Sequence, residues 1–219
     1  MKSFRPALFS FVCIFAIQYS AAQSGAWLSH SHDAQHSGVS SVASQSLSKI
    51  HWQTPVDLAP PSGEIFIHYG SPLVTAANTV IVPVKTGTNS FRVEAHDGAT
   101  GTKLWQIGTG YTAPSTGFLS GLGPTISGNR LFIPDSGGRI LVRKDPDQAT
   151  AAVSRLYFYG AKNYQAAPLT YQQNIQISTP LTTDAKGTLF FGFLANGTTP
   201  IGLQSGLARI AADGTGTWV

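Results

Sequence analysis

The chain has 219 residues, 42% of them apolar and only 11% charged, with a formal net charge of +4. The basic residues are scattered, Arg143-Lys144 being the only adjacent pair, so there is no stripe to track phosphates and nucleic acid is excluded as an expected partner. The 23 glycines and 13 prolines, set against this low charge, argue against a disordered chain and suit many short strands joined by tight turns.

The N-terminal residues carry Lys2 and Arg5, an apolar stretch from Ala7 to Tyr19, and Ser20-Ala21-Ala22, which places small residues where a signal peptidase reads. This pattern predicts a secretory signal over residues 1–22 and a mature protein in the periplasm or outside the cell. The apolar stretch is shorter than the roughly 20 residues that span a bilayer, and no second long apolar run follows, so no integral membrane segment is expected after signal removal. Cys13, the only cysteine, lies inside this signal, which leaves the mature chain without thiols, disulfides or thiolate metal sites. Ser10-Phe11-Val12 lacks the small residue that lipid attachment at Cys13 needs beside it.

Residues 23–49 form a polar entry segment containing Trp27 and the run His30-Ser-His32-Asp33-Ala-Gln-His36-Ser-Gly38. Ile50 to Val56 alternates like a half-buried strand, an outer strand preceding the first repeat, and Pro60-Pro61 mark a loop. One strand-turn-strand phrase then recurs, anchored at Pro72, Pro124 and Pro180, with spacings of 52 and 56 residues. That period suits the blade of a β-propeller, a small antiparallel sheet that buries its faces only against neighbouring blades. The expected fold is therefore all-β, with about three four-stranded blades of an incomplete propeller over residues 50–219, near 50–110, 111–165 and 166–219. In the first, Phe91 to Ala95 and Lys103 to Ile107 are strands joined by a turn at Asp97-Gly98, and Trp105 covers the seam to the next blade. Leu156-Tyr157 takes the place of Leu104-Trp105 in the second blade, and Leu207 to Trp218 echoes the strand and turn in the third. Tyr111 to Phe118 and Tyr159 to Asn174 are expected as long loops between blades.

The phrase Val93-Glu-Ala-His-Asp97-Gly-Ala-Thr-Gly101-Thr-Lys-Leu-Trp105, its echo at Leu207 to Trp218, and the opening Trp27 to Gly38 resemble the pyrroloquinoline-quinone-type propellers, the quinoprotein alcohol dehydrogenase-like family. This resemblance covers nearly the whole mature chain and implies the fold. The family includes dehydrogenases, outer-membrane assembly scaffolds and proteins of unassigned role, and its propellers have six to eight blades, so missing blades are expected from a longer parent chain. Its dehydrogenases hold quinone (PQQ) and calcium with acidic and amide side chains on the propeller axis, often beneath an adjacent cysteine pair that is absent here.

The residues offer little chemistry of their own. His30, His32, Asp33 and His36 are the weak metal candidates, since closely spaced imidazoles can converge on zinc or copper. Four ligands within seven residues would nonetheless crowd a tetrahedral site, and a polar entry strand explains them equally. No Gly-x-Ser-x-Gly elbow precedes a helix: Gly117 to Gly121 and Gly202 to Gly206 are serine-bearing loops, and His51, His68 and His96 have no evident nucleophile. His96 is expected to cap the adjacent turn, the two glutamates, Glu64 and Glu94, show no partner, and Asp97, Asp135, Asp184 and Asp213 hold turns. Tyr157 to Tyr171 is weighed as blade core against stacking on a sugar or peptide. These observations assign no catalytic residue, no cofactor and no firm metal ligand. They point to an exported non-enzymatic binding or scaffold module for a protein or carbohydrate. The alternatives are the N-terminal part of a quinone-dependent dehydrogenase, with PQQ and calcium, and a His-rich metal-binding protein.

Overall fold

A computed structural model describes residues 25–43, 46–60, 70–113 and 122–219. The expected signal, Glu64, His68 and the Gly117 to Gly121 loop lie outside them. Three antiparallel sheets follow one another along the chain. The first contains β1 (Leu73–Val74), β2 (Thr79–Gly87), β3 (Ser90–Asp97) and β4 (Lys103–Thr109), hydrogen-bonded in that order. The second repeats the order with β5 (Thr125–Ser127), β6 (Arg130–Pro134), β7 (Arg139–Lys144) and β8 (Val153–Tyr157). After helices α1 (Ala161–Ala166) and α2 (Pro168–Asn174) comes β9 (Ile175–Ile177), then β10 (Thr182–Thr183), β11 (Leu189–Ala195), β12 (Gly206–Ile210) and β13 (Gly216–Trp218). The third sheet thus has a fifth strand, because β9 pairs with the far end of β11. The fold is a partial propeller, as the repeat predicts.

Residues in equivalent register face equivalent ways. Successive side chains of a strand point to opposite faces, so each sheet has one face toward the preceding sheet and one toward the following sheet. Ile81, Val93, Ala95 and Trp105 of the first sheet meet Leu131, Ile133 and Leu141 of the second in one buried cluster. The alternate residues Phe132, Ile140 and Val142 meet Leu189, Phe191 and Phe193 of the third in another. Leu73, Ile126 and Leu181, near the start of their respective sheets, are all buried but differ in register: Leu73 pairs with Ile81, Ile126 pairs with Leu131, which matches Val80 of the first sheet, and Leu181 lies one residue before the Thr182–Phe190 pair.

The register corrects two expectations. Ala95 faces Trp105 on the neighbouring strand, whereas the corresponding Val142 faces Ser154, so Leu156 matches Ile107 and the second sheet has no seam tryptophan in that place. Trp218 pairs with Ala208 and turns back toward Phe158, just after β8 of the second sheet, at 6.1 Å, whereas Trp105 points forward. The shorter hairpin between β12 and β13 causes this reversal, since a one-residue change of register moves a side chain to the other face.

The stretch from Tyr159 to Asn174 is two short helices rather than a long loop. Gly160, at φ 90°, releases the chain from β8, and Pro168 starts α2, where its missing N–H costs nothing. The helices carry Tyr164 and Tyr171 into the seam, where Tyr171 stacks on Tyr159 at 4.4 Å and the Tyr159 hydroxyl donates to the Gly137 carbonyl at 2.6 Å. Burial first, then the neighbouring tyrosines, pushes the Tyr159 phenol well above its ordinary pKa. These aromatics therefore form core.

Phe158 is the keystone of this seam: it is fully buried, with Tyr159, Phe191, Phe193 and Trp218 around its ring. Phe158→Ala is expected to destabilise the protein by about 3–5 kcal/mol, the usual cost of an aromatic-to-alanine cavity, read from denaturant unfolding monitored by circular dichroism.

Candidate functional site

The first strands, β1, β5 and β10, form the inner edge of the arc, and the entry segment lies along all three. Trp27 and Val74 exchange backbone hydrogen bonds at 2.7 and 2.9 Å, and the Leu28 carbonyl accepts from the Ile126 amide at 2.8 Å and the Thr125 hydroxyl at 3.1 Å. His36 Nε2 hydrogen-bonds with the Thr182 hydroxyl at 3.1 Å, and His30 Nδ1 with the Ser71 hydroxyl at 2.9 Å. One polar segment thus ties the first, second and third sheets together where edge strands would otherwise expose unpaired backbone.

The four metal candidates are dispersed among these contacts. Asp33 accepts from the Ser37 hydroxyl and from the Ser37 and Gln35 amides, which holds its carboxyl far below the ordinary range, and His32 Nδ1 lies 3.2 Å from it. His30 and His36 meet edge to face at 5.5 Å, and burial, then the neighbouring His36, lowers the His30 pKa. Among the described residues no three of His, Cys, Asp and Glu converge on one point. Beside the segment lies an open cleft of about 540 Å³, bordered by Ser29, His32, Gln35, Ser127 and Thr183. It offers hydroxyls, the Gln35 amide, the His32 imidazole and the carboxylates of Asp33 and Asp184.

The second polar cluster was not foreseen. Arg92, Glu94 and His96 alternate along β3 and so share the face of the first sheet that points away from the second. Buried Glu94 accepts from Arg92 Nε at 2.6 Å and from His96 Nε2 at 3.0 Å, with Lys103 Nζ at 3.6 Å. His96 Nδ1 donates to the Gly101 carbonyl at 3.0 Å, capping the turn, and Trp52 stacks over its ring at 5.7 Å. Burial alone would raise the Glu94 pKa, but the hydrogen bond and charge of Arg92, then Lys103 and His96, outweigh it and hold the carboxyl below its ordinary value. The i, i+2 spacing of Arg92, Glu94 and His96 was the signal in the sequence. Gly101 is required where it stands: its φ is 75°, and a Cβ there would lie 2.7 Å from the Trp52 ring.

Three other acids serve turns. Asp97 accepts from the amides of Ala99 and Thr100, Asp184 from those of Lys186 and Thr188, and Asp213 from that of Thr215. Asp135 accepts from the Gly110 amide at 2.7 Å and pairs with Arg139 at 2.9 Å, linking the first sheet's exit to the second sheet. The inner strands Leu73-Val74, Thr125-Ile-Ser127 and Thr182-Thr183 present no acid or amide side chain toward an axis. These three strands bring no carboxylate or amide side chain to that edge, and no catalytic step is assigned through them.

No family model matches the chain, and no curated protein matches it. Solved structures do. The chain is similar to the quinohemoprotein alcohol dehydrogenase from Comamonas testosteroni, at a TM-score of 0.54 and 13% identity over 91% of this chain and 28% of that one. It is likewise similar to a europium-containing methanol dehydrogenase, at a TM-score of 0.53 and 12% identity over 90% of this chain and 32% of that one. The fold is thus that of the quinoprotein-type propellers, and the chain spans less than a third of the length of either structure. The expectation of a cofactor-free protein does not stand: these two structures of the same fold are named for redox groups or a metal. Its physical basis fails too, since a site shared among the blades of a ring cannot be judged from the ligands of three. Among the described residues no helix is long and apolar enough to cross a membrane.

Because the folded protein favours ionised Glu94, the unfolded chain binds the proton more tightly. The stability this group contributes is complete above its unfolded pKa of about 4.3 and lost as pH falls through the lower folded value. In thermal melts from pH 6 downward, the midpoint of the native protein should drop more steeply below about pH 4 than that of Glu94→Gln; parallel curves would contradict the network.

Proposed function

We propose that this chain is the exported, N-terminal arc of a larger quinoprotein-dehydrogenase-type propeller, acting as the wall against which the remaining blades close. The observation that carries the reading is the forward face of the third sheet. Phe190, Leu207 and Val219, in the register that builds both buried seams, stand 41%, 64% and 89% exposed. With Arg209 and Thr217 between them, these large apolar groups occupy the position where a following blade would pack. In such a protein the quinone would serve as electron acceptor for an alcohol, and its ligands would come from blades beyond the described residues. The three sheets here would hold the radial geometry and the inner edge.

A second reading, a periplasmic or secreted scaffold that binds a protein or carbohydrate, is favoured by the entry segment bridging the inner edge. A polar cleft of about 540 Å³, bordered by Asn196, Thr198, Gln204 and Ser205, also favours it.

Mass measurement and visible absorption of the protein purified from its native source separate the readings. The dehydrogenase reading predicts a product longer than 219 residues with continuing propeller repeats and a quinone chromophore released on denaturation. A longer product without chromophore transfers support to the scaffold, and a native product without further repeats contradicts the arc itself.

A further inference from the structure

We propose that the cleft between the entry segment and the first strands of the second and third sheets binds a neutral, polyhydroxylated ligand of pyranose size, with Ser29 as its buried anchor. The site needs neither reading proposed above, since a product with a quinone and one without it would carry the same cleft.

Ser29 carries the inference. It is only 4% exposed, its Oγ has no hydrogen-bond partner among the described residues, and it borders the cleft of about 540 Å³. A buried hydroxyl that gives up water without gaining a partner destabilises a fold, so a native chain keeps one where something else is to meet it. The turn that presents Ser29 is strained as well. The Ser29 carbonyl accepts from the His32 amide at 3.0 Å, across Ser31 and His32 at φ 53° and 86°, the left-handed region that favours glycine. Such backbone persists where its surroundings hold it, and it gathers at ligand sites.

The bordering groups select the ligand by charge. Among the described residues no lysine or arginine borders the cleft, so an anion would meet no counter-charge there. Two carboxylates do border it, but both are engaged within the protein. Asp33 accepts from the Ser37 hydroxyl and from the Ser37 and Gln35 amides, and Asp184 accepts from the Lys186 and Thr188 amides. Among the described residues no third ligand joins them to hold a cation. There remain the Ser29, Ser127 and Thr183 hydroxyls and the Gln35 amide, groups that both donate and accept. A sugar hydroxyl does the same, so it can pair with each in either sense. Ala26, Leu28 and Ile126 add an apolar patch for the C–H face of a ring.

The size suits such a ligand, since small-molecule sites occupy about 300–1,000 Å³. A peptide is less well served: it would bind by extending a sheet, and the β5 edge beside the cleft is already taken, the Leu28 carbonyl accepting from the Ile126 amide. The cleft is also separate from the one at Asn196. It lies at the other end of β11, because Thr183 pairs with Leu189 whereas Asn196 follows Ala195.

Isothermal titration and saturation-transfer NMR on the intact protein test this, with methyl α-glucoside, methyl α-galactoside, methyl α-mannoside and N-acetylglucosamine as probes. At least one probe should saturate the protein, and Ser29→Ala and the isosteric Thr183→Val should each weaken it by about tenfold or more. Ser29→Ala removes a hydroxyl that has no protein partner, so its melting temperature should equal or exceed that of the native protein, whereas a purely structural serine would lower it. Should Ser29→Ala fail to fold, Thr183→Val alone decides. Absence of saturation by every probe overturns the proposal, as does a probe whose affinity Thr183→Val leaves unchanged. Either failure leaves both readings of the larger protein standing, because they are decided by product length and chromophore.

Discussion

The constraint on which this structure depends is that each small sheet has two apolar faces and must bury both. A strand with Leu131 and Ile133 on one side and Phe132 on the other cannot lie at a surface. It requires a neighbour before and a neighbour after, and the second sheet has both. The first and third sheets each have one such neighbour, and they treat the outer face differently. The first sheet carries Arg92, Glu94 and His96 there, roofed by Trp52, whereas the third leaves Phe190 and Leu207 to solvent.

The two ends of the arc are therefore chemically unlike. At one end an ion-paired network lies under the Trp52 ring, and at the other large apolar side chains stand exposed. A charge cluster that is desolvated needs all its partners, because removal of one leaves another buried and unpaired. That need explains why Glu94 gathers three basic groups. It also explains why Trp52, which seals the network from above, is fixed by its own hydrogen bond to the turn. The inner edge is finished differently again, by the entry segment, whose His30 and His36 hydrogen-bond to Ser71 and Thr182.

Much of the fold was legible because repetition makes strands visible. The same prolines, glycine turns and alternating Val, Ile and Phe occur at each blade, and the seam role of Trp105 followed from its place after an Asp-Gly turn. The helices were hidden because six and seven residues set between Gly160 and Pro168 have the punctuation of a loop. The register of Trp218 was hidden because a shorter hairpin shifts facing by one residue without changing composition. The polar site was half legible: the i, i+2 spacing of Arg92, Glu94 and His96 places them on one face, but their enclosure depends on Trp52, 44 residues away from His96. The path of the entry segment across three sheets is a long-range contact that no local pattern announces.

The central claim is that the sheets stack as successive sectors, each seam sealed by side chains in equivalent register. Nuclear Overhauser contacts of assigned side chains test it most directly. The account predicts cross-peaks from the Trp105 indole to the Arg143 side chain and from the Phe158 ring to the Phe193 ring, one for each seam. A folded protein in which the Trp105 indole sees only residues of its own sheet would contradict it.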